Sequence, residues 1–384
     1  MDSIILMALT YVAGRAIALP LEKKGFSQVI SFMLVGLAAS YFLGIDIAHY
    51  AELKSIAMFS ATILMFYVGL SADVESIKGA SSIITGVSGV ITTFTLTYLV
   101  LTTAGLSPTR ALVLSISISN TATEVVGALL LNLSEGDVRA IASSASFIDD
   151  IIVAVAIATI ASGEVVPSSI VAKSIPATAL IVISMLIPKE VLKKYKGIAR
   201  VVFKSYRNFV IISMSTLFSL IIASYAAGLG PLIGAYLSGL VINGLKEHRD
   251  PMIRASISVG RFLEDLNVFL DTTLVPLFFS YAGLTASVMH FDSALFLILL
   301  TTGLIGKLIG CGVPSAIMLK NSVKGLKIGT IMVARGSLDT VLLSSSLSLG
   351  LIYLSDYSTA IAAVLATMLF TPLALSMIGK RYGL

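Results

Sequence analysis

The stretch SASFIDDIIVAVAIATI, residues 144–160, places two adjacent carboxylates, Asp149 and Asp150, inside a run that is otherwise apolar or small. A charged side chain at the centre of a bilayer costs several kcal/mol, so such residues mark either a paired partner or a function. The meaning of the pair therefore depends on whether this run spans a membrane.

The composition of the whole chain answers that first question. Of its 384 residues, 57% are hydrophobic and only 12% are charged, whereas a soluble globular domain is about 25% charged. We expect an all-α polytopic membrane protein. The single cysteine, Cys311, excludes a disulfide framework and a cysteine-rich metal site. We expect no cofactor and no enzymatic activity.

Windows of about 20 mostly apolar residues predict about thirteen transmembrane helices. These windows run roughly over 3–20, 27–44, 54–71, 80–105, 109–132, 137–162, 168–188, 208–228, 230–244, 266–286, 293–319, 325–350 and 356–379. The ninth window is short, and GLGP at 228–231 favours a break before it. The stretch 245–265 carries four basic residues and is predicted to be a loop plus an interfacial helix.

The distribution of basic residues sets the orientation. With the N-terminus outside, twenty lysines and arginines fall at the cytoplasmic ends and only Lys54 and Arg110 fall outside. This is the positive-inside pattern. We expect a multi-pass protein in the plasma membrane of a prokaryote, with a cytoplasmic C-terminus. The net charge of +5 then anchors the chain to the lipid bilayer and does not predict nucleic-acid binding.

Thirteen helices also divide into two halves. We expect a single membrane transport domain over 1–384, with repeat one at about 1–165, a linking helix at about 166–190 and repeat two at about 205–384. The two six-helix repeats would have inverted orientation, a common transporter architecture. Glu124 in TEVVGALLL and Asp339 in LDTVLLSSSL fall at matching places in the fifth and twelfth helices.

Three charges share one depth in the predicted bundle. Asp149 and Asp150 lie near the centre of the sixth helix, and Lys307 lies near the centre of the eleventh. Adjacent residues on a helix point about 100° apart, so the two carboxylates must have separate surroundings. Ser146 and Ser143 continue the Asp150 face as a polar stripe. One carboxylate is expected to pair with Lys307 and the other to face an aqueous path.

The fifth helix contains a section that is expected to unwind. SISISNTATEVV, residues 115–126, crowds Asn120, Thr121, Thr123 and Glu124 into one short stretch. Serine, threonine and asparagine side chains compete for backbone hydrogen bonds and weaken a helix. Hydroxyls and freed carbonyls there would suit a hard cation, which prefers oxygen ligands.

The twelfth helix offers a matching break. ARGSLDT puts Gly336 between Arg335 and Asp339. Half-helix ends would then face each other across the site, with Arg335, Asp339 and Glu124 compensating the opposed helix dipoles.

Each feature also has a plain structural interpretation. The aspartate pair would serve only as an ion-pair anchor, the Ser/Thr run only as small-residue packing, and Arg335 with Asp339, four residues apart, only as a pair on one helix.

Taken together, several segments resemble the monovalent cation:proton antiporter-2 family, and most closely its NapA-type sodium/proton antiporters. The resemblance covers nearly the whole chain, in order. The similar segments are MFYVGLSADVESIK, SNTATEVVGALL, FIDDI, GAYLSGLVI, PLFFSYAGLTASV, GLIGKLIG and ARGSLDTVL.

The resemblance implies a homodimer in which each protomer has a scaffold domain and a mobile core domain. It implies that Asp150 carries the cation and the proton alternately, and that Asp149 forms a salt bridge with Lys307 that breaks when Na⁺ binds. Asp150 and Asp149 are the expected Na⁺ ligands, with Thr123 and Ser146 near the ion.

One position departs from the family pattern. Glu124 stands where relatives more often have a small polar residue. It is therefore a candidate direct ligand of the ion, which leaves the stoichiometry open.

The expected function is secondary active exchange of cytosolic Na⁺ for external H⁺ by alternating access, electrogenic if two protons move per sodium. The alternatives are a potassium/proton antiporter of the same fold, a sodium-coupled organic-anion symporter and a passive channel. An intramembrane aspartyl protease needs two aspartates that meet across two helices, which adjacent Asp149 and Asp150 cannot do.

Overall fold

The structure is a computed structural model that describes residues 2–23, 26–43, 50–71, 79–130, 133, 135–161, 202–226, 230–245 and 254–382. This part of the chain is helical and contains no strand. The helices are α1 Ser3–Glu22, α2 Gln28–Leu43, α3 Ala51–Ser71, α4 Ala80–Thr103, α5 Pro108–Ser119, α6 Thr123–Leu130, α7 Gly136–Ala161, α8 Tyr206–Ala226, α9 Pro231–Gly244, α10 Arg254–Phe269, α11 Val275–Thr285, α12 Ser293–Lys307, α13 Val313–Leu319, α14 Ser322–Ile331, α15 Ser337–Ser348 and α16 Leu354–Tyr382.

Helices occupy twelve of the thirteen predicted windows, and the seventh window, 168–188, lies outside the described residues. Within the described ranges, seven helices are long and apolar enough to cross a membrane. The prediction of an all-α polytopic membrane protein is confirmed. The break before the ninth window is also confirmed, because α8 ends at Ala226 and α9 begins at Pro231.

The interfacial helix predicted within 245–265 and the tenth window form one continuous run of helix. Helix α10 begins at Arg254 and continues through a π-helical turn, Leu270–Leu274, into α11. The charges of this segment mask its amphipathic spacing: Ala255, Val259, Phe262 and Leu266 are all buried. A stripe at intervals of three and four residues packs a helix even when its other face is charged.

Both predicted breaks are present. The fifth window is divided into α5 and α6 by residues 120–122, and the twelfth is divided into α14 and α15 by residues 332–336. A second π-helical turn, Leu308–Gly312, joins α12 to α13. The eleventh helix is thus continuous but irregular directly after Lys307.

The chain forms two compact units. One comprises Met1–Ala57, Asp73–Val153 and Pro276–Leu384, and the other comprises Met58–Ala72 and Ala154–Val275. The first unit contains both breaks and all the charged residues predicted for the site. The relation of the two predicted repeats to each other stays a prediction.

Glycines bring α2 and α11 into close contact in the first unit. A methyl group built on Gly36 would lie 2.3 Å from the Ser280 carbonyl oxygen, and one built on Gly283 would lie 2.2 Å from that of Met33. Reciprocal glycines of this kind let two backbones approach, which strengthens dispersion contacts inside a membrane.

Ion pairs attach helix ends in the same unit. The guanidinium of Arg110 donates to both carboxylate oxygens of Asp356, over 2.7 and 2.5 Å. At the start of α7, Lys324 pairs with Asp137 over 2.5 Å and Lys327 pairs with Glu135 over 2.9 Å. Its hydrogen bond with Asp137 raises the pKa of Lys324.

Candidate functional site

The two adjacent aspartates of α7 are both buried, and their side chains have different neighbours. Asp149 is 0% exposed and Asp150 is 1% exposed. The 100° step of the helix directs Asp149 to Lys307 and Thr121, whereas Asp150 contacts Thr123. The two carboxylates therefore have different partners: Asp149 contacts an ammonium and a hydroxyl, and Asp150 contacts a hydroxyl.

Lys307 forms an ion pair with Asp149. Its ammonium donates to Oδ2 of Asp149, and both side chains are 0% exposed. Burying these two charges together offsets part of the cost of removing either from water. The other oxygen of Asp149, Oδ1, has no hydrogen-bond partner among the described residues.

The hydroxyl of Thr121 links Asp149 to the second helix break. Its oxygen lies 2.7 Å from Oδ2 of Asp149 and 2.8 Å from the carbonyl oxygen of Met332. A hydroxyl has one proton to donate, so Thr121 serves one acceptor at a time. The neighbouring Thr123 donates to Oδ2 of Asp150 over 2.5 Å.

The two breaks meet in space. The backbone amide of Ala122 donates to the carbonyl oxygen of Ala334 over 2.8 Å. Unwinding exposes backbone polar groups that a membrane protein must satisfy internally. Each break supplies part of what the other lacks, and the crossing holds Thr121 and Thr123 beside α7.

Arg335 and Asp339 occupy the second break and the start of α15. Arg335 is 0% exposed, and its Nη2 lies 3.4 Å from the carbonyl oxygen of Gly303. Asp339 accepts a hydrogen bond from the Gly336 amide over 2.8 Å, as an acid does in the first turn of a helix. The charge of Arg335 interacts with those of Asp339 and Asp149.

Three other predicted residues have less direct surroundings. Asn120 is fully buried, and neither atom of its amide has a hydrogen-bond partner among the described residues. Ser146 donates to the carbonyl of Ser143 in its own helix, over 2.9 Å. Glu124 lies in the backbone of α6, and its side chain is outside what the structure describes.

Nearly the whole chain matches one protein family. Residues 4–381 match the family model described as the transmembrane sodium/hydrogen exchanger. The chain belongs to the sodium/hydrogen exchanger family. The resemblance to monovalent cation:proton antiporters is thereby confirmed, and the family is one of transporters.

Relatives of the exchanger family with assigned activities are distant. The chain is 23% identical over 379 residues to the Na⁺/H⁺-K⁺ antiporter GerN of Bacillus cereus, covering 94% of this chain and 92% of GerN. It is 23% identical over 337 residues to the high-affinity Na⁺/H⁺ antiporter NhaS3 of Synechocystis, covering 83% of this chain and 69% of NhaS3.

A solved exchanger structure has the same fold. The sodium proton antiporter MjNhaP1 of Methanocaldococcus jannaschii superimposes with a TM-score of 0.75 over 99% of this chain and 98% of its own, at 14% identity. The chain is therefore a multi-pass membrane protein with the architecture of a solved antiporter.

Sequence reasoning named Thr121 but missed two contacts of this candidate site. It did not find that Thr121 contacts Asp149 and Met332 together, because the Met332 carbonyl is freed only by the second break. It also did not find Gly89, where an added methyl group would lie 2.2 Å from Sγ of Cys311 and 3.6 Å from Nζ of Lys307. The small-residue run TGVSGV on α4 was the available signal.

Proposed function

We propose that this protein exchanges Na⁺ for H⁺ across the membrane at Asp149 and Asp150. The observation that carries the proposal is the Lys307–Asp149 ion pair buried beside Asp150, where two helix breaks cross. A buried carboxylate is costly to keep charged. It therefore binds either a proton or a metal cation, and this competition couples the two fluxes.

The oxygen atoms around Asp150 suit a small hard cation. Thr123 supplies a hydroxyl 2.5 Å from the Asp150 carboxylate, and the break supplies backbone carbonyls. Sodium would bind there, and Lys307 would release Asp149 as the cation enters. Ser146 would join the ion after rotating away from Ser143, and Glu124 is proposed as a further ligand.

Thr121 can follow the protonation of Asp149. When Asp149 is ionised, Thr121 donates to it. When Asp149 is protonated, the carboxyl donates to Thr121, which then donates to the Met332 carbonyl 2.8 Å away. Protonation of Asp149 on α7 thus changes which group Thr121 donates to, and the second helix break gains or loses a hydrogen bond.

The test is Na⁺-dependent proton movement in proteoliposomes that contain the wild type or Asp150→Asn. The variant keeps the shape of the side chain but cannot exchange one proton for one cation. We expect its exchange to fall to the level of empty vesicles. Asp265→Asn, at an exposed residue of α10, is the matched control and should retain wild-type exchange. Substantial exchange by Asp150→Asn would sink the proposal.

Two protons per sodium, one from Asp150 and one from the Lys307–Asp149 pair, would make the exchange electrogenic. The membrane potential then contributes about 2.3 kcal/mol per charge per 100 mV. Proton entry would drive export of cytosolic Na⁺. Clamping the potential with K⁺ and valinomycin should change the exchange rate, and a rate independent of potential would favour one proton per sodium.

Potassium is a second candidate cation. GerN, which matches nearly the whole chain, is a Na⁺/H⁺-K⁺ antiporter. Replacing Na⁺ by K⁺ in the same vesicles decides between them. Family membership supports exchange over sodium-coupled organic-anion symport. Uphill cation efflux driven by a proton gradient would exclude a passive channel.

The assembly and orientation complete the proposal. We propose a homodimer in a prokaryotic plasma membrane, with the N-terminus outside, the C-terminus cytoplasmic and the two halves of the 1–384 domain in inverted orientation. Light scattering of the purified protein measures the oligomeric state. Labelling of single cysteines at matched positions of the two halves, in intact cells, measures their opposite orientations.

A further inference from the structure

The helix that carries Lys307 contains one residue more than its packing against α4 requires. Four successive contacts join the two helices. They are Thr97 with Thr302 (3.0 Å between hydroxyls), Thr93 with Gly306, Gly89 with Gly310, and Thr85 with Ser315 (2.9 Å between hydroxyls). The steps are four, four and four residues on α4, but four, four and five along the segment from α12 to α13.

The extra residue lies in the π-helical turn Leu308–Gly312, directly after Lys307. A π turn adds one residue to a helix and often lies at functional sites. In a regular helix Pro314, not Ser315, would continue the row against α4, since one residue corresponds to about 100° of rotation. The turn therefore lets Ser315 contact α4 while Lys307 reaches Asp149.

Glycines hold both sides of this turn at close range. Methyl groups built on Gly306 and Gly310 would lie 2.7 Å from Thr93 Cα and 2.8 Å from the Ser88 carbonyl oxygen. One built on Gly329 of α14 would lie 3.1 Å from Cα of Gly312. The turn is thus fixed between α4 and α14. The direction in which the Lys307 side chain points therefore depends on the contacts that hold the turn.

Ser88 is the side chain that ties the turn to α4. Its hydroxyl lies 2.6 Å from the carbonyl oxygen of Gly310 and also near that of Ile84 in its own helix. Pro314 has no amide hydrogen, so the Gly310 carbonyl lacks the donor that a regular helix supplies four residues later and is available to a partner outside the helix. The hydroxyl of Ser88 is such a partner when its one proton is directed to Gly310 and not to Ile84.

We propose that Ser88 is a positioning residue for Lys307, acting through the π-helical turn that its hydroxyl ties to α4. The inference rests on the proposed exchange, in which Na⁺ displaces Lys307 from Asp149. Loss of the hydroxyl loosens the turn and weakens the hold of Lys307 on Asp149. Sodium then displaces the ammonium more easily, and its apparent affinity rises.

The experiment measures the apparent Na⁺ dissociation constant of the full-length protein by Na⁺-dependent thermal stabilisation in detergent. For Ser88→Ala we expect it to fall about fivefold, the effect of one hydrogen bond. Ser88→Thr keeps the hydroxyl and should stay within about twofold of wild type. Thr97→Val is the matched control, because it removes a hydroxyl contact between the same helices away from the turn, and its affinity should be unchanged.

Two results would overturn the inference. In one, Ser88→Ala changes the melting temperature without Na⁺ but leaves the Na⁺ affinity at the wild-type value, which is the behaviour of a packing residue. In the other, Ser88→Ala still changes Na⁺ affinity in a Lys307→Ala background, which separates Ser88 from Lys307. A wild type that is not stabilised by Na⁺ would instead contradict the proposed function, and the inference with it.

Discussion

The backbone amide of Ala122 donates a 2.8 Å hydrogen bond to the carbonyl oxygen of Ala334, and this bond joins two breaks that lie more than two hundred residues apart in the chain. The bond pairs a backbone donor of the first break with a backbone acceptor of the second. Their meeting places the hydroxyl of Thr121 between Asp149 and Met332. The site is thus a property of the crossing and not of either helix.

The buried Lys307–Asp149 pair should show strong energetic coupling. Lys307→Met leaves a carboxylate buried without its ammonium, and should lower the free energy of unfolding by about 3–5 kcal/mol. Adding Asp149→Leu removes the charge as well and should restore most of that loss. Titration with sodium dodecyl sulfate measures both values. Additive losses in the double variant would contradict the coupling.

Substitution of Thr121 should change how protons and Na⁺ compete. Thr121→Val removes the donor to ionised Asp149, and a hydrogen bond to a charged form stabilises that form. The proton is then held more tightly, so the pH of half-maximal exchange should shift upward. Thr121→Ser keeps the hydroxyl and should restore the wild-type profile. Transport measured between about pH 6 and about pH 9.5 distinguishes the two variants. Matching profiles for both variants would contradict this role.

The close contact of α2 and α11 should not tolerate a side chain. In Gly36→Ala the methyl group would lie 2.3 Å from the Ser280 carbonyl oxygen, so the helices must separate at a cost of about 1–3 kcal/mol. Gly260→Ala is the control, because its added methyl group has no heavy atom within 4 Å. It should be neutral or stabilise by up to about 1 kcal/mol. Melting temperatures in detergent compare the two variants; an equal change in both would contradict a cost that comes from the contact between α2 and α11.

The Arg110–Asp356 pair should respond unequally to loss of either partner. Asp356 is 1% exposed at its side chain, whereas Arg110 is 25% exposed. Arg110→Ala leaves the buried carboxylate without its cation and should cost about 3–5 kcal/mol. Asp356→Asn leaves a cation that water can reach, and should cost less. Arg110→Lys should fall between, since an ammonium cannot match both oxygens as the guanidinium does. Chemical denaturation in detergent gives the order, and the reverse order would contradict the assignment.

Much of this molecule follows from local patterns of residues. Hydropathy placed twelve of the helices because insertion into a bilayer depends on about 20 consecutive residues. The Ser/Thr run and Gly336 predicted the two breaks, since these residues weaken a helix wherever they occur. The adjacency of Asp149 and Asp150 required that the two carboxylates face different neighbours.

Other features depend on contacts between distant segments. The segment before residue 266 was predicted as a separate interfacial helix, but α10 begins at Arg254 and continues into α11. Hydropathy did not show this, because α10 is stabilised by the buried stripe of Ala255, Val259 and Phe262 and not by overall apolarity. The π turn after Lys307 was not predicted, although Pro314, which lacks an amide hydrogen, was the available signal. The turn allows the row of contacts with α4 and the Lys307–Asp149 ion pair to form together.

The sequence by itself determined that the chain is a helical membrane protein, where its spanning segments lie, and which acids and which lysine share one depth. These properties depend on residues near one another in the chain. Only the tertiary structure decided that Lys307 meets Asp149, that Thr123 meets Asp150, and that Thr121 connects α7 to the Met332 carbonyl. Those contacts require the rotation of each helix about its axis, which hydropathy does not encode and the packing of neighbouring helices fixes.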